Sequence, residues 1–295
     1  MTETNATNGC ISACCREAGN VRSLMGAIVG DVVGSRWEFG GCKTKDFVFL
    51  DSHCFATDDT FLTLAIGEAL VEHSANGGRL SELASRKLKK WAMAYPDVGY
   101  GESFIAWVVG ANSQPYNSWG NGAAMRVSIC GWAAKSLEET AALSDAVTCV
   151  THNHLEGMAG ARIIAECVFL AKTGAAMSEI KDYVNANYRK IDFTVDEIRP
   201  DYDFDISCQG TVPQALACFF ESTSFEDAIR NAISLGGDSD TLGAICGAVA
   251  GAYWGIPEGI IAATRIFLDD RCKNMIEKLE SCFVNGDVCF SKKGE

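Results

Sequence analysis

Apolar residues recur along most of the chain with the three-to-four-residue spacing of α-helices. One such run covers Leu24–Val33, and a glycine-rich run covers Leu242–Ile256. The same spacing predicts helices over Phe61–His73, Leu80–Ala94, Ala123–Ala134, Leu137–Val150, Glu156–Lys172, Met177–Asn187, Val212–Glu221, Phe225–Leu235, Glu258–Leu268 and Asp270–Phe283. Strand patterns are few and short, at Phe47–Leu50 and Asp192–Val195. We therefore predict an all-α fold.

Two of these runs carry a glycine at every fourth position. The first ladder is Gly26, Gly30 and Gly34, and the second is Gly243, Gly247, Gly251 and Gly255. Glycine inside a helix costs about 1 kcal/mol relative to alanine, so a ladder is favoured only where a second backbone approaches closely. We predict that these two helices pack against each other at short distance in the centre of the fold.

The sequence shows no repeated unit of about 100 residues and no flexible linker in mid-chain, which favours one globular domain. The chain has 295 residues, of which 48% are hydrophobic, and this suffices for one large core. Length alone would also allow two compact domains. We predict a disordered polar leader over residues 1–20, one domain over residues 21–285, and a short tail over residues 286–295.

Charge and cysteine usage narrow the range of partners and compartments. The formal net charge of −13 argues against non-specific binding to nucleic acid or anionic lipid, because both need a basic surface. The 14 cysteines include no C-x-x-C pair, and the first residues contain no apolar signal segment. We predict reduced thiols, a cytoplasmic location and a monomer. The apolar run Leu242–Ile256 is too short to span a membrane.

Two short acidic segments directly precede predicted helices. The first is Thr57–Thr60 (TDDT), and the second is Gly236–Thr241 (GGDSDT). Helix capping explains one acceptor in each segment, but each segment offers a surplus of carboxylate and hydroxyl groups. Carboxylate and hydroxyl oxygens without nearby His or Cys suit a hard cation such as Mg²⁺ or Mn²⁺. On these residues alone, capping and a divalent-cation site both stay open.

Five sequence blocks resemble the ADP-ribosylglycohydrolase family, which includes dinitrogenase-reductase-activating glycohydrolase, in their order and spacing. The blocks are Gly26–Phe39 (GAIVGDVVGSRWEF), Thr57–Thr60 (TDDT), Asn121–Val127 (NGAAMRV), Thr151–Ala161 (THNHLEGMAGA) and Gly236–Thr241 (GGDSDT). The resemblance covers about residues 24–268. It implies a compact single-domain orthogonal helical bundle that holds a binuclear Mg²⁺ or Mn²⁺ centre.

The resemblance assigns the two acidic segments to that metal centre. It implies that Asp240 bridges two ions and that Glu38 matches a family glutamate beside the metals. The implied catalytic residues are Glu38, Asp59 and Asp240. The implied metal ligands are Thr57, Asp58, Asp59, Asp238, Asp240 and Thr241.

Other matched positions are implied to bind the substrate. They comprise a loop for the phosphates and adenine, a second phosphate loop and a histidine near the ribose or diphosphate. The residues are Ser118, Trp119, Gly120, Asn121 and Gly122, then Tyr100 and Gly101, then His152. Packing or turn formation is the structural alternative for Trp119, Asn121 and His152. Arg126 could pair with a core carboxylate instead of contacting ligand.

The implied activity is metal-dependent hydrolysis of the glycosidic bond between ADP-ribose and an acceptor. The acceptor is a protein side chain or a small conjugate, and Glu38 would act as acid, base or lid. The block Thr151–Glu156 resembles arginine-directed members more than serine-directed ones. Two alternatives stay open: a metal-dependent hydrolase of another nucleotide or phosphoester, and a non-catalytic, crystallin-like relative that binds ADP-ribose.

Overall fold

Helices form nearly all of the regular structure in the computed structural model, which describes residues 19–111 and 114–285. The helices are α1 (Gly26–Gly34), α2 (Asp58–Asn76), α3 (Leu80–Ala94), α4 (Glu102–Val109), α5 (Ser128–Ala133), α6 (Leu137–Thr148), α7 (Leu155–Thr173), α8 (Met177–Asn187), α9 (Val195–Ile198), α10 (Cys208–Phe220), α11 (Phe225–Ser234), α12 (Ser239–Trp254), α13 (Glu258–Thr264) and α14 (Asp270–Phe283). Two-residue strands, β1 (Asn20–Val21) and β2 (Ile256–Pro257), pair antiparallel. The predicted all-α fold is confirmed.

The predicted strands at Phe47–Leu50 and Asp192–Val195 are wrong. In the first segment, the carbonyl of Phe47 accepts a hydrogen bond from the Arg230 side chain, whose guanidinium also lies 5.0 Å from the Phe47 ring. The second segment ends where α9 begins, because the Thr194 side chain accepts from the Glu197 backbone N–H and caps that helix. Local side-chain partners replace strand pairing in both places.

Two helices differ from the sequence predictions. Helix α4 was not predicted, and α10 begins at Cys208 instead of Val212, so Pro213 lies inside it. Pro213 falls early in α10, where its missing N–H leaves one carbonyl without an intrahelical partner. Most of the predicted leader (residues 1–18) and the whole predicted tail (residues 286–295) lie outside the described residues. Asn20, assigned to the leader, forms part of β1.

The two glycine ladders bring α1 and α12 into backbone contact. A Cβ atom added at Gly26 would lie 2.1 Å from the Gly247 carbonyl oxygen, and one at Gly30 would lie 1.9 Å from that of Gly243. All nine residues of α1 are buried, which places this helix pair in the centre of the core. The predicted close packing of the two ladders is confirmed.

This contact also joins one end of α1 to the beginning of α12. A Cβ atom at Gly34 would lie 2.4 Å from the Ser239 carbonyl oxygen and 2.5 Å from the Asp240 Cα. The Ser239 hydroxyl donates to the Gly34 carbonyl oxygen at 3.1 Å. Within the described residues, α12 and the other helices are too short or too polar to cross a lipid bilayer.

The ladder predicts a specific sensitivity to alanine. We expect Gly30→Ala to lower the free energy of unfolding by at least about 2 kcal/mol, because the added methyl overlaps the Gly243 backbone and neither helix can yield alone. Thermal unfolding followed by circular dichroism measures the effect.

Gly259→Ala is the matched control for this substitution. Gly259 lies in α13 with no atom within 4 Å of its added Cβ. Alanine should therefore be neutral or slightly stabilising there, because it favours the helix. Equal melting temperatures for the two variants would contradict the close contact of α1 and α12.

Candidate active site

A buried aspartate on α1 holds the first acidic segment in place. Asp31 is fully buried and accepts hydrogen bonds from the backbone N–H groups of Thr57 (3.1 Å) and Thr60 (3.1 Å). The Thr57 hydroxyl donates to Asp31 at 2.7 Å, and the Thr60 hydroxyl also donates to it. One carboxylate thus occupies the free N–H groups at the start of α2 and fixes the conformation of the Thr57–Thr60 turn.

Capping does not use the carboxylates of the first segment. Thr57 is the N-cap residue of α2, and its side chain accepts from the Asp59 backbone N–H. The carboxyl groups of Asp58 and Asp59 are therefore surplus to the cap. Asp59 Oδ1 is buried and has no hydrogen-bond partner among the described residues.

The second acidic segment is shaped by two glycines. Gly236 and Gly237 have φ values of +70° and +66°, which side-chain-bearing residues rarely adopt. Asp238 follows as the N-cap residue of α12 but makes no capping hydrogen bond with its side chain. Instead, Asp238 Oδ2 accepts from the Asn121 side-chain amide at 2.6 Å. This carboxylate is again surplus to the helix cap.

The two acidic segments meet in space although 182 positions separate the residues that touch. The Thr241 hydroxyl donates to Asp59 Oδ2 at 3.3 Å. One carboxylate oxygen from each of Glu38, Asp238 and Asp240 lies within 4.8 Å of the others. Glu38 follows a 3₁₀ turn at the end of α1, so the α1–α12 contact explains why it reaches the start of α12.

These carboxylates line one cavity of about 500 Å³. The cavity also receives residues from the segment that follows α4, from the beginning of α4 and from the segment before α10. Its predicted site residues are Glu38, Asp58, Asp59, Gly101, Ser118, Gly120, Asn121, Gly122, His152, Asp238, Asp240 and Thr241. The structure therefore brings most of the predicted metal and substrate residues to one place.

Three predicted site residues do not line this cavity. Thr57 is buried against Asp31, and the Tyr100 ring packs 5.3 Å from that of Phe104. Trp119 is half exposed, and its ring lies 5.6 Å from that of His154 in an edge-on arrangement. We call the side of the cavity formed by the carboxylates of Glu38, Asp58, Asp59, Asp238 and Asp240 the acidic wall. Thr57 lies behind this wall, and the two aromatic residues, Tyr100 and Trp119, lie beside the cavity.

Burial and mutual repulsion favour the protonated form of this cluster. Desolvation by burial, followed by the charge of Asp240, raises the pKa of Asp31 and that of Glu38 to about 7. The same two causes raise the pKa values of three further carboxyl groups well above the ordinary value, those of Asp58, Asp59 and Asp238. Among the described residues, no Lys or Arg forms an ion pair with any of them.

Arg126 is the cation that lines the cavity, and it does not neutralise the cluster. Its side chain is 1% exposed, and Nη2 donates to the Thr151 hydroxyl at 2.6 Å. The expectation that Arg126 pairs with a core carboxylate is wrong for the described part of the chain. Its pKa is lowered by desolvation, which reflects a cation buried without a counter-charge in direct contact.

Sequence reasoning missed several residues of the site. Asp31 sits inside an apolar helical run, and nothing local indicates that it accepts from a turn 26 positions away. The cavity is also lined by Tyr116, Phe204 and Ile206, which belong to irregular segments outside the predicted helices. The alternation of Asp with apolar residues over Asp201–Ile206 is the signal that could have marked this segment.

The fold and the cavity together define an all-helical protein with an oxygen-rich acidic pocket. The solved structure of an ADP-ribosylglycohydrolase-related protein complex has the same fold, with a TM-score of 0.67, 21% identity, and coverage of 89% of this chain and 95% of that one. The family model for ADP-ribosylglycohydrolase matches residues 20–285. The chain belongs to the ADP-ribosylglycohydrolase family. Members of this family are hydrolases of glycosyl bonds.

Individual relatives match most of the chain at low identity. Human ADP-ribosylhydrolase ARH3 is 25% identical over 313 residues, covering 80% of this chain and 85% of the relative. ADP-ribosylarginine hydrolase Tri1 of Serratia proteamaculans is 26% identical over 298 residues (87% and 77%). ADP-ribosyl-[dinitrogen reductase] glycohydrolase of Rhodospirillum rubrum is 26% identical over 237 residues (76% and 78%). The family resemblance predicted from the sequence blocks is confirmed.

The raised pKa values predict an unusual pH dependence in the presence of a chelator. A carboxyl group with a higher pKa in the folded state binds more protons when folded, so stability falls as pH rises toward that pKa. Asp31 and Glu38 set the window between their ordinary values, 3.8 and 4.5, and about 7. With EDTA present, we expect the melting temperature to fall between about pH 5 and 8.

Asp31→Asn should reduce this slope, because each such group contributes up to about 1.4 kcal/mol per pH unit. His152, whose pKa burial lowers, acts in the opposite direction, but only below its ordinary value of 6.5. A melting temperature that rises steadily from pH 5 to 8 in EDTA would show that the carboxyl groups of the cluster do not have raised pKa values in the folded protein.

Proposed function

We propose that this protein is a divalent-cation-dependent hydrolase that releases ADP-ribose from ADP-ribosylated protein side chains, with arginine preferred over serine as the acceptor. The observation that carries the proposal is the convergence of two distant acidic segments on one cavity wall, where no Lys or Arg of residues 19–111 and 114–285 forms an ion pair with them. Family membership supplies the ADP-ribosyl group as the substrate class.

The residues of the cavity wall fit a pair of hard cations. Every candidate ligand atom is an oxygen, and Asp59 Oδ1 is buried without a hydrogen-bond partner among the described residues. The proposed ligands on this wall are Asp58, Asp59, Asp238, Asp240 and Thr241. Thr57, the sixth ligand implied by the family resemblance, holds its hydroxyl against Asp31 and would have to release that bond to reach a cation. Mg²⁺ or Mn²⁺ bound there would supply Lewis acidity and neutralise the repulsion within the cluster.

The proposal assigns to Glu38 the transfer of a proton at the glycosidic bond. It is half-buried beside Asp238 and Asp240, and burial raises its pKa to about 7. A carboxyl group with such a pKa can give or take a proton near neutral pH, as hydrolysis of a glycosidic bond requires. The proposed role of Glu38 is therefore general acid or base toward the leaving group and the attacking water.

Backbone groups of the cavity suit the diphosphate. Helix α4 begins at the cavity, and Gly101, its N-cap residue, provides no capping side chain. The N–H groups of Glu102 and Ser103, in its first turn, have no hydrogen-bond partner in the described part of the chain. Such free N–H groups attract phosphate oxygens even on an acidic protein. The Ser118–Gly122 loop offers further backbone groups to the diphosphate, because its two glycines let a ligand approach the main chain closely.

The preference for arginine rests on two lines of support. Tri1, 26% identical, is named as an ADP-ribosylarginine hydrolase. Beside the cavity, the segment Asp201–Ile206 alternates Asp with Tyr, Phe and Ile, and Phe204 and Ile206 line the cavity. A guanidinium group pairs with carboxylates and stacks on aromatic rings, whereas a serine acceptor offers neither interaction.

A substrate panel tests the proposal. We expect free ADP-ribose to be released from arginine-modified protein at least about tenfold faster than from serine-modified protein, a difference of about 1.4 kcal/mol. EDTA should abolish release, and Mg²⁺ or Mn²⁺ should restore it. Chromatographic measurement of released ADP-ribose is the readout.

The same panel includes O-acetyl-ADP-ribose, ADP-ribose and nucleotide phosphates. Turnover of nucleotide phosphates alone would replace the proposal with phosphoester hydrolysis. Binding of ADP-ribose without any turnover would favour a non-catalytic relative. Full activity in EDTA would exclude the cation-dependent mechanism.

A single-residue variant tests the acidic wall directly. Asp240→Asn should lower kcat by at least about a hundredfold, since its carboxylate lies within 4.8 Å of those of Glu38 and Asp238. Removing its charge should not lower the melting temperature in EDTA, because Asp240 raises the pKa of its neighbours by repulsion. Activity assays and thermal unfolding measure the two effects separately.

The matched control is Asp182→Asn, which makes the same chemical change on the exposed surface of α8. Control activity and melting temperature should equal those of the unmodified protein. Wild-type turnover in Asp240→Asn would remove that residue from the proposed mechanism.

A further inference from the structure

The buried Arg126 is not explained by the proposed chemistry of the acidic wall. Its guanidinium is buried in the cavity lining, and its hydrogen-bonded neighbour is a hydroxyl group instead of a carboxylate. A buried, unpaired arginine costs stability, so a specific role for its N–H groups needs to be sought. The partner of Arg126, the Thr151 hydroxyl, leads to a second cavity residue.

Hydrogen bonds connect Arg126 to His152 through Thr151. Arg126 Nη2 lies 2.6 Å from Thr151 Oγ1, and Thr151 Oγ1 lies 2.8 Å from His152 Nδ1. Arginine has N–H donors and no acceptor, so the Thr151 oxygen must accept from it. The single proton of the Thr151 hydroxyl is then free to point at His152 Nδ1.

Tyr116 is the other polar neighbour of the Thr151 hydroxyl. A hydroxyl oxygen has two lone pairs, and Arg126 takes one of them. The Tyr116 phenol can donate to the second lone pair, which leaves the Thr151 proton for His152 Nδ1. In this arrangement the Thr151 hydroxyl uses its proton and both lone pairs, and Nδ1 is an acceptor. The reverse arrangement, in which Thr151 donates to Tyr116 and Nδ1–H donates to Thr151, gives the opposite tautomer and is the alternative outcome of the test below.

The other ring nitrogen of His152 faces the substrate loop. Cβ atoms added at Gly120 and Gly122 would each lie 3.5 Å from His152 Nε2. Nε2 has no hydrogen-bond partner among the described residues, and His152 lines the cavity. The missing side chains of the two glycines leave space beside Nε2 for a ligand atom.

We propose that Arg126, acting through Thr151, is a positioning residue that fixes His152 as the neutral Nε2–H tautomer, so that Nε2 donates a hydrogen bond to an oxygen of the bound ADP-ribosyl group. The identity of the ligand rests on the proposed function. The direction of the hydrogen bonds is a property of the protein alone.

The charge of Arg126 supports the same assignment. Burial, and then the charge of Arg126, lowers the pKa of His152 well below its ordinary value of 6.5. A neutral imidazole in the Nε2–H form donates one hydrogen bond and keeps the same polarity throughout the neutral pH range. Proton transfer is left to Glu38, and His152 acts in binding.

Nitrogen NMR of histidine-labelled protein tests the tautomer directly. The chain has four histidines, so single His→Gln variants assign every signal. In the ligand-free protein, we expect His152 to show one fully protonated nitrogen, Nε2, and one bare nitrogen, Nδ1. His73 provides the internal comparison, because its Nδ1 lies 2.9 Å from the Gly78 carbonyl oxygen, which can only accept, so the opposite Nδ1–H tautomer is expected there.

Three variants test separately the hydrogen bond between Arg126 and Thr151 and the one between Thr151 and His152. Thr151→Val removes the hydroxyl with little change in shape, and Arg126→Met removes the donor while keeping an unbranched side chain. In both variants, the nitrogen NMR signals of His152 should be averaged between the two tautomers. Thr151→Ser keeps the hydroxyl and should retain the unmodified pattern. A protonated Nδ1 in the unmodified protein, or an unchanged pattern in folded Thr151→Val, would overturn the proposal.

Affinity for ADP-ribose, measured by calorimetry, tests the consequence for binding. Thr151→Val should weaken binding by about tenfold, while Thr151→Ser should stay within about twofold. Loss of the tautomer with unchanged affinity would show that Nε2 does not contact this ligand. The tautomer measurement needs no substrate, so failure of the proposed hydrolase activity would leave it intact and separately testable.

Discussion

The contact between the glycine faces of α1 and α12 is the constraint on which the site depends. Gly30 and Gly243 let the two backbones meet, and Gly34 brings the beginning of α12 against the end of α1. As a result, the carboxylates of Asp31 and Glu38, which belong to the α1 side, lie beside those of the α12 turn. A larger residue at the ladder would separate the two halves of the acidic wall before it disturbed any side chain within it.

This arrangement concentrates negative charge where burial makes charge costly. The raised pKa values of Asp31 and Glu38 record that cost, and the apolar helix pair behind them offsets it. A bound cation would reverse the balance, because it would favour the ionised carboxylates that repel one another in its absence. Without a cation, stability favours protonated carboxyl groups, whereas the proposed activity requires the same groups to be ionised.

The local features of the site could be predicted from sequence, and the long-range ones could not. The turns at Asp58–Asp59 and Asp238–Asp240 carry more carboxylates than capping needs, which a short window reveals. The role of Asp31 and that of Arg126 depend on partners 26 and 25 positions away, so no local pattern encodes them. Helix α4 escaped notice because its short run Phe104–Val109 is apolar on nearly every side and lacks helical periodicity.

The position of the two ladders in the chain has a consequence for biosynthesis. Ser239 and Gly34, which are hydrogen-bonded in the folded protein, are 205 positions apart. On the ribosome, α1 emerges long before α12, so its buried glycine face must wait uncovered while most of the chain is translated. Contacts between such distant positions form slowly, because a long loop must close before they stabilise the fold.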